Sequence, residues 1–186
     1  MQTKPRPAAL ALLAVLITLT SLTPPARTLP PAKGEAINWV TFEEAIELNK
    51  KEPKKIFLDV YTDWCGWCKQ MDKTTFSDSD VARYVNQNYY AVKFDAEGKD
   101  PITFKGRTFG FVASGRRGYH ELAATLMNGR MSYPTTVYLD EEMNLLQAVP
   151  GYAKADEFLK IVSYFGGDHF KQTPWEEYEK AYAKGE

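Results

Sequence analysis

Both cysteines of the chain lie in one short stretch, Tyr61-Thr-Asp-Trp-Cys-Gly-Trp-Cys-Lys69. The apolar run from Ile56 to Tyr61 that leads into it predicts a buried strand. The residues from Cys65 onwards predict the opening of a helix, which would place the first cysteine at a helix N-terminus. A cysteine pair at the point where a buried strand runs into a helix leaves few possible folds for the rest of the chain.

The spacing of the pair predicts redox chemistry. Two cysteines separated by two residues can close a small, strained disulfide ring, and such disulfides tend to be labile and catalytic. At a helix N-terminus the free N–H groups and the dipole favour the thiolate, so the pKa of Cys65 should lie below the ~8.5 of a free cysteine. Cys68, one turn into the helix, should be more enclosed and stay a thiol. We therefore predict that Cys65 attacks and that Cys68 resolves the mixed disulfide.

Three other uses of the pair are less favoured. A zinc site would need two further ligands, and His120 and His169 lie far apart without the usual ligand spacing. Haem attachment needs a histidine directly after the second cysteine, where this chain has Lys69. A purely structural disulfide stays possible, although so short a loop stores little folding stability.

The N-terminal residues have the order of a secretory signal peptide. Residues 1–7 carry two positive charges and no acid, and an apolar stretch follows over residues 8–22. That stretch is short for a membrane span, which needs ~20 residues, so an uncleaved anchor is the weaker alternative. We predict a signal peptide over 1–26, a Pro-rich linker over 27–36 and one domain over 37–186. No cysteine precedes Cys65 as a lipid-anchor site, so the periplasm is the predicted location.

The net charge of the chain indicates which classes of partner it can bind. Residues 1–32 hold three of the 23 basic residues and none of the 24 acidic ones, which leaves a net charge of −4 on the remainder. A nucleic-acid partner is therefore disfavoured. No flavin, nicotinamide or metal motif is visible, so we expect no cofactor, and we expect the protein to act as a monomer.

The pattern of apolar residues predicts an α/β domain. Helices are predicted over 42–51, from 65 onwards, and over 81–87, 120–127, 155–165 and 174–184; strands are predicted over 56–61, 89–95, 133–140 and 145–149. The first two strands flank a helical crossover, which implies parallel pairing. The last two are joined by a short link, which makes them an antiparallel hairpin.

The order of these motifs resembles the thioredoxin fold. Trp64-Cys-Gly-Trp-Cys-Lys69 looks like the thioredoxin active-site motif, and Tyr133-Pro-Thr opens a later strand as in that family. The resemblance covers about residues 39–165 and is nearest to exported bacterial thioredoxin-like proteins. It implies a three-layer α/β/α sandwich with a mixed sheet, here with an inserted hairpin before the proline strand and an extra C-terminal helix.

The resemblance also implies roles for particular residues. Asp59 matches the family's buried carboxylate, which assists deprotonation of the resolving cysteine; a hydrogen-bonded structural acid is the alternative. Pro134 matches the cis-proline that faces the cysteine pair, and Tyr133 before it would offer its backbone to a substrate strand. Lys93 matches a lysine near the buried acid, although a solvated lysine is an equal alternative.

Two tryptophans flank the first cysteine. The resemblance implies that Trp64 supports the substrate, and we expect Trp67 to be exposed on the substrate side. Ordinary packing of large side chains is the alternative for both. Trp67 also replaces the proline that is usual between the cysteines. The sequence therefore does not fix the reduction potential within the range of ~−270 to ~−120 mV that pairs on this scaffold span.

The segment over 98–132 is longer than one crossover helix requires. Apolar residues alternate with others over 102–111, on either side of Lys105-Gly106, which predicts an inserted hairpin. A helix would begin at His120. The glycine-rich, basic stretch 114–120 is predicted either to flank the active site and bind an acidic surface or to be a solvated loop. The terminal helix is predicted to pack on the domain through Trp175 and Tyr178.

These predictions together indicate an exported thiol-disulfide oxidoreductase that acts as a reductase. Its expected partners are protein clients with disulfides or thiols, and a membrane or soluble thiol-disulfide protein that supplies electrons. One alternative is a thioredoxin-fold module that binds peptides without cycling its cysteines. A peroxide-reducing enzyme is a third possibility, but no peroxide-polarising site is visible in the sequence.

Overall fold

A computed structural model describes residues 36–184 together with Met1. The predicted signal peptide after Met1, and all but the last residue of the predicted linker, lie outside the described residues. In chain order the elements are β1 (Trp39–Val40), α1 (Phe42–Lys51), β2 (Lys55–Tyr61), α2 (Gly66–Thr74), α3 (Ser79–Asn88), β3 (Tyr89–Asp95), β4 (Ile102–Phe104), β5 (Arg107–Phe109), β6 (Phe111–Ser114), β7 (Arg117–His120), α4 (Glu121–Leu126), β8 (Thr135–Leu139), β9 (Leu145–Pro150), α5 (Ala155–Gly166) and α6 (Trp175–Lys184), with a 3-10 helix over His169–Lys171.

A five-stranded mixed sheet organises these elements, in the order β1-β3-β2-β8-β9. Strands β1, β3 and β2 are parallel, whereas β8 is antiparallel to β2 and β9 is antiparallel to β8. Both predicted pairings are therefore confirmed. The two-residue strand β1 was not predicted, because two residues carry no readable periodicity.

Strand β2 divides the core into two layers. Its even-numbered residues Ile56, Leu58 and Val60 pack in one cluster with residues of α1 and α4. Phe57, which points to the opposite face, packs in a second cluster with residues of α2, α3, α5 and α6. Helices therefore cover both faces of the sheet, which confirms the predicted three-layer α/β/α sandwich.

The insertion before β8 forms two hairpins, where one was predicted. Strands β4 and β5 pair within the hairpin predicted over 102–111, but β6 also pairs with β7 over 111–120, so the segment 114–120 is not the solvated loop that was one of its two predicted alternatives. Helix α4 consequently begins at Glu121, with His120 as its N-cap. The glycine content of 114–120 suggested a loop, yet Gly115 makes a tight turn with φ of 60° and Gly118 lies within a strand.

Gly118 lies where two strands come very close. A Cβ atom there would lie 2.1 Å from Phe111 Cζ and 2.5 Å from the Val112 carbonyl oxygen. We expect Gly118→Ala to destabilise the protein by ~1–3 kcal/mol, the usual cost of overpacking, in denaturant unfolding. Gly110→Ala is the control, since a Cβ at Gly110 would meet no atom within 4 Å. Equal stability of the two variants would contradict the prediction.

The C-terminal helix packs on the domain as predicted. The Tyr164 ring lies 5.2 Å from the Trp175 ring and 5.0 Å from the Tyr178 ring, measured between centroids. Tyr178 is buried, and its hydroxyl is 2.9 Å from that of Ser163. No helix in the part of the chain that the structure describes is long and apolar enough to cross a membrane.

Candidate active site

The cysteine pair lies where β2 ends and α2 begins. The Cys65 amide donates to the Thr62 carbonyl at 3.0 Å, which closes a turn between strand and helix. Cys65 is the N-cap of α2, and its sulfur accepts from the Cys68 amide at 3.0 Å. Cys65 and Cys68 form a disulfide with their Cα atoms 5.3 Å apart. The predicted position of Cys65 at a helix N-terminus is confirmed.

This geometry distinguishes the two sulfurs. Cys65 is 5% exposed and Cys68 is 2% exposed, so the expected difference in enclosure is small. The difference lies in hydrogen bonding, because only Cys65 sits at the cap, where a helical N–H points at its sulfur. After reduction that N–H and the helix dipole would stabilise a thiolate on Cys65. The attacking role is therefore better suited to Cys65.

Asp59 is a buried acid beneath α2. It has no exposed surface, and strand alternation places it on the same face of β2 as Phe57, the face that α2 covers. Its Oδ2 accepts from Lys93 Nζ at 2.6 Å, whereas its Oδ1 has no hydrogen-bond partner within the described residues. Burial raises the pKa of Asp59 to about 6, and the Lys93 charge limits the rise. Asp59 can therefore exchange a proton near neutral pH.

Lys93 connects this buried acid to the surface. Its Nζ contacts the Asp72 carboxylate on α2 as well as Asp59. Nζ also lies 5.0 Å from the Trp39 ring centroid and 5.3 Å from that of Tyr61. Burial opposes the charge of Lys93, but the two carboxylates raise its pKa above the ordinary value. Lys93 is therefore a charged lysine shared between a buried and an exposed acid, as the family resemblance implied, and not a solvated one.

Removing the exposed acid is expected to change the titration of the buried one. The negative charge of Asp72 raises the pKa of Asp59 and competes for Lys93. In Asp72→Asn we expect the pKa of Asp59 to fall below about 6, measured from the carboxyl carbon shift by NMR. Asp156→Asn, an exposed acid at the start of α5, is the charge-matched control. An unchanged or higher pKa of Asp59 in Asp72→Asn would contradict the prediction.

Trp64 is held by three separate segments. Its indole N–H donates to Glu97 Oε1 at 3.0 Å, and the Arg117 guanidinium carbon lies 4.5 Å from its ring centroid. The Tyr133 ring meets it edge to face at 5.8 Å. Trp64 nevertheless remains 52% exposed. The structure thus brings the residue before Cys65 together with the proline loop and the second inserted hairpin.

Trp67 is the more exposed of the two tryptophans, at 62%. Its ring lies 5.3 Å from that of Tyr152, measured between centroids. The Tyr152 hydroxyl is in turn 3.0 Å from the Thr74 hydroxyl on α2. The expected exposure of Trp67 is confirmed, and Tyr152 was not anticipated because nothing in its local sequence indicates this contact.

The loop that carries Tyr133 and Pro134 has the predicted backbone. The Tyr133–Pro134 peptide bond is cis, and the Pro134 carbonyl accepts from the Gly151 amide at 2.8 Å. Tyr133 is partly buried, and burial raises its pKa to about 12, so its hydroxyl stays protonated. Tyr133 and Pro134 therefore border the site through the contact of Tyr133 with Trp64.

The histidines do not join this site. His120 is buried at the start of α4, where its Nδ1 accepts from the Leu122 amide and its Nε2 lies 3.1 Å from the Asp100 carbonyl oxygen. His169 contacts the ring of Tyr178, which lies on α6 in the second core cluster. Within residues 36–184, no group of three or more His, Cys, Asp and Glu side chains is arranged to hold a metal ion.

Comparison with known proteins finds a matching family, curated relatives and similar solved structures. The thioredoxin-like domain family matches residues 42–166. Spermatogenesis-associated protein 20 of Mus musculus is 31% identical over 84 residues, which cover 45% of this chain and 11% of that protein. The thiol:disulfide interchange protein DsbD of Pectobacterium atrosepticum is 36% identical over 55 residues, which cover 28% of this chain and 10% of that protein.

A solved structure supports the same fold. A thioredoxin from Thermus thermophilus superposes with a TM-score of 0.52 at 19% identity, covering 70% of this chain and 87% of that one. The matches to the two curated relatives, by contrast, cover only about a tenth of those proteins' length.

Proposed function

Since this chain belongs to the thioredoxin-like domain family, we propose that it is an exported thiol-disulfide oxidoreductase that reduces protein disulfides through Cys65 and Cys68. The observation that carries the proposal is the position of Cys65 at the N-cap of α2, with the Cys68 amide directed at its sulfur. Export is supported by the N-terminal sequence pattern. The thiol-disulfide chemistry is further supported by the similarity to DsbD, a thiol:disulfide interchange protein.

The reaction has two exchange steps. The Cys65 thiolate attacks one sulfur of a client disulfide; the client S–S bond breaks, and the other client sulfur leaves as a thiolate that takes up a proton. Cys68 then loses its proton and attacks the Cys65 sulfur, which releases the second client thiol and forms the Cys65–Cys68 disulfide. Two electrons pass from the dithiol to the client. A thiol-disulfide donor protein must return them.

The buried acid suits the second step. Cys68 must be deprotonated before it can attack, and a carboxylate with a pKa of about 6 can accept a proton near neutral pH. Asp59 lies on the face of β2 that α2 covers, and its Oδ1 makes no hydrogen bond to a described residue. We assign Asp59 the role of proton acceptor for Cys68, directly or through a water molecule.

The client would bind across the sulfur pair. The exposed rings of Trp64 and Trp67 lie on either side of Cys65 in sequence, and the Tyr133–Pro134 loop contacts Trp64. An extended client segment that pairs with the backbone of Tyr133 would lay its disulfide near Cys65. The partners are thus protein clients on this face and a protein electron donor that exchanges disulfides at the same sulfurs.

A turnover assay tests the proposal. The purified domain, kept reduced by dithiothreitol, is mixed with a disulfide-bonded substrate protein, and the release of substrate thiols is followed. We expect catalysis well above the rate with dithiothreitol alone, and no catalysis by the Cys65→Ala, Cys68→Ala double variant. Equal rates for the protein and the double variant would refute the proposal and favour a binding module.

A further inference from the structure

The second inserted hairpin is fixed to the active site by backbone hydrogen bonds. The Ala96 amide donates to the Tyr61 carbonyl at 2.9 Å, just before the cysteine motif. The Ala96 carbonyl accepts from the His120 amide, the last residue of β7, at 2.7 Å. The His120 ring also meets the Phe94 ring edge to face at 5.5 Å. The hairpin of β6 and β7 is therefore part of the wall of the site rather than a free loop.

This hairpin places a guanidinium on the tryptophan that precedes Cys65. Arg117 covers the Trp64 ring at 4.5 Å, while its side chain is still 55% exposed. Arg117 forms an ion pair with Glu97, whose Oε1 lies 3.7 Å from Arg117 Nη1, a separation too long for a hydrogen bond. That same oxygen accepts the Trp64 indole N–H. The contact with the Trp64 ring thus holds the guanidinium at the site without using its hydrogen-bond donors.

A guanidinium that is held against a ring and keeps unused donors is suited to a carboxylate. Arg carries five N–H donors in a fork that binds a carboxylate with two parallel hydrogen bonds. Among the described residues, no acceptor lies within hydrogen-bond distance of the Arg117 guanidinium, whose ion-pair partner Glu97 is 3.7 Å away. We propose that Arg117 binds an acidic side chain next to the client's reacting cysteine, so that the protein prefers disulfides flanked by Asp or Glu. This inference rests on the proposed function.

Overall charge does not explain such a preference. Asp63, Asp95 and Glu97 surround the same region with negative charge, and the Glu97 amide donates to Asp95 at 2.9 Å. These acids would weaken a simple electrostatic attraction to an acidic client. Arg116, exposed in the turn of the hairpin, offsets part of that charge. The selectivity must therefore come from directed hydrogen bonds to Arg117, which a lysine at that position would not reproduce.

The test uses two short peptides, each with one internal disulfide, that differ in a single residue beside the cysteine, Asp or Lys. Their rates of reduction by the reduced protein are each divided by their rates with dithiothreitol, a small reductant that also attacks as a thiolate but carries no guanidinium, which removes intrinsic differences in reactivity. We expect the Asp peptide to be favoured about tenfold, the scale of one charge-assisted hydrogen bond. The preference should shrink at high ionic strength.

Three variants test whether Arg117 causes the preference for the Asp peptide. Arg117→Glu is expected to reverse the preference, and Arg117→Lys to reduce it to about threefold because the fork is lost while the charge stays. Lys51→Glu makes the same charge change as Arg117→Glu at the end of α1, near the opposite end of β2, and should leave the preference unchanged.

The outcomes separate this inference from the function on which it rests. Equal reduction of both peptides by the unmodified protein, or an Asp preference that survives in Arg117→Glu, would overturn the assignment of Arg117 while leaving the oxidoreductase function intact. Failure to reduce either peptide would refute the proposed function, and this inference with it.

Discussion

Cys68→Ala is expected to trap client proteins on Cys65 as mixed disulfides. The first exchange step needs only the Cys65 sulfur, which keeps its position at the N-cap of α2. Without Cys68 no nearby thiol can release the client, so the covalent intermediate should accumulate and turnover should fall essentially to zero. The measurement is acid quenching of cells that produce the variant in their native compartment, followed by non-reducing electrophoresis and identification of the bound proteins.

Cys65→Ala is the matched control for this trap. The two substitutions remove the same atoms three residues apart, but only Cys65 receives the helical N–H at its sulfur. Cys65→Ala should therefore trap few or no clients. If both variants trapped clients equally, or if Cys65→Ala trapped more, the roles of the two cysteines would be reversed or shared.

Asp59→Asn is expected to make the oxidised protein more stable and the enzyme slower. Burial raises the pKa of Asp59 from 3.8 to about 6, so the ionised carboxylate costs the folded state about 3 kcal/mol at pH 7.5. This cost is absent below pH ~3.8, where both states are protonated, and it grows until the pH passes the folded pKa. Because asparagine stays neutral but leaves a buried polar group, we expect a gain of ~1–3 kcal/mol at pH 7.5.

Stability and rate are measured separately for this variant. Urea unfolding of the oxidised protein at pH 7.5 and near pH 4 should show a gain at the higher pH and little or none at the lower. The release of a preformed mixed disulfide should slow by ~10²-fold or more, since a positioned proton acceptor is lost. Asp156→Asn serves as the exposed control. Equal stability of variant and parent at pH 7.5, with unchanged release, would make Asp59 an ordinary structural acid.

The sheet and its helices could be predicted from periodicity because their apolar residues alternate or recur strongly. Strand β2 and helix α5 begin and end within one or two residues of the predicted positions. Helix α1 begins with a capping box formed by Thr41 and Glu44, whose Thr-x-x-Glu spacing is the usual sequence pattern of that cap. The second hairpin could not be predicted, because its strands are short and Gly118 suggests a turn unless the contact with Phe111 is known.

The candidate site could be predicted only in part. The cysteine pair stands out in the sequence itself, whereas Asp59 and Pro134 are assigned through the resemblance to the thioredoxin fold. The partners of Trp64 could not be predicted, because Glu97 and Arg117 lie 33 and 53 positions later and meet it only in the folded structure. The contact between Asp72 and Lys93 could not be predicted from the sequence either, because it joins the surface of a helix to a strand.

The equilibrium between the dithiol and the disulfide of Cys65 and Cys68 tests the central claim most directly. The purified domain is titrated against mixtures of reduced and oxidised glutathione or dithiothreitol, and the fraction of reduced protein is measured after alkylation. We predict full and reversible interconversion, with a reduction potential near or below ~−220 mV, as suits a reductase. A value near ~−120 mV would instead mark an oxidant. A pair that does not interconvert at any ratio would contradict the proposed function itself.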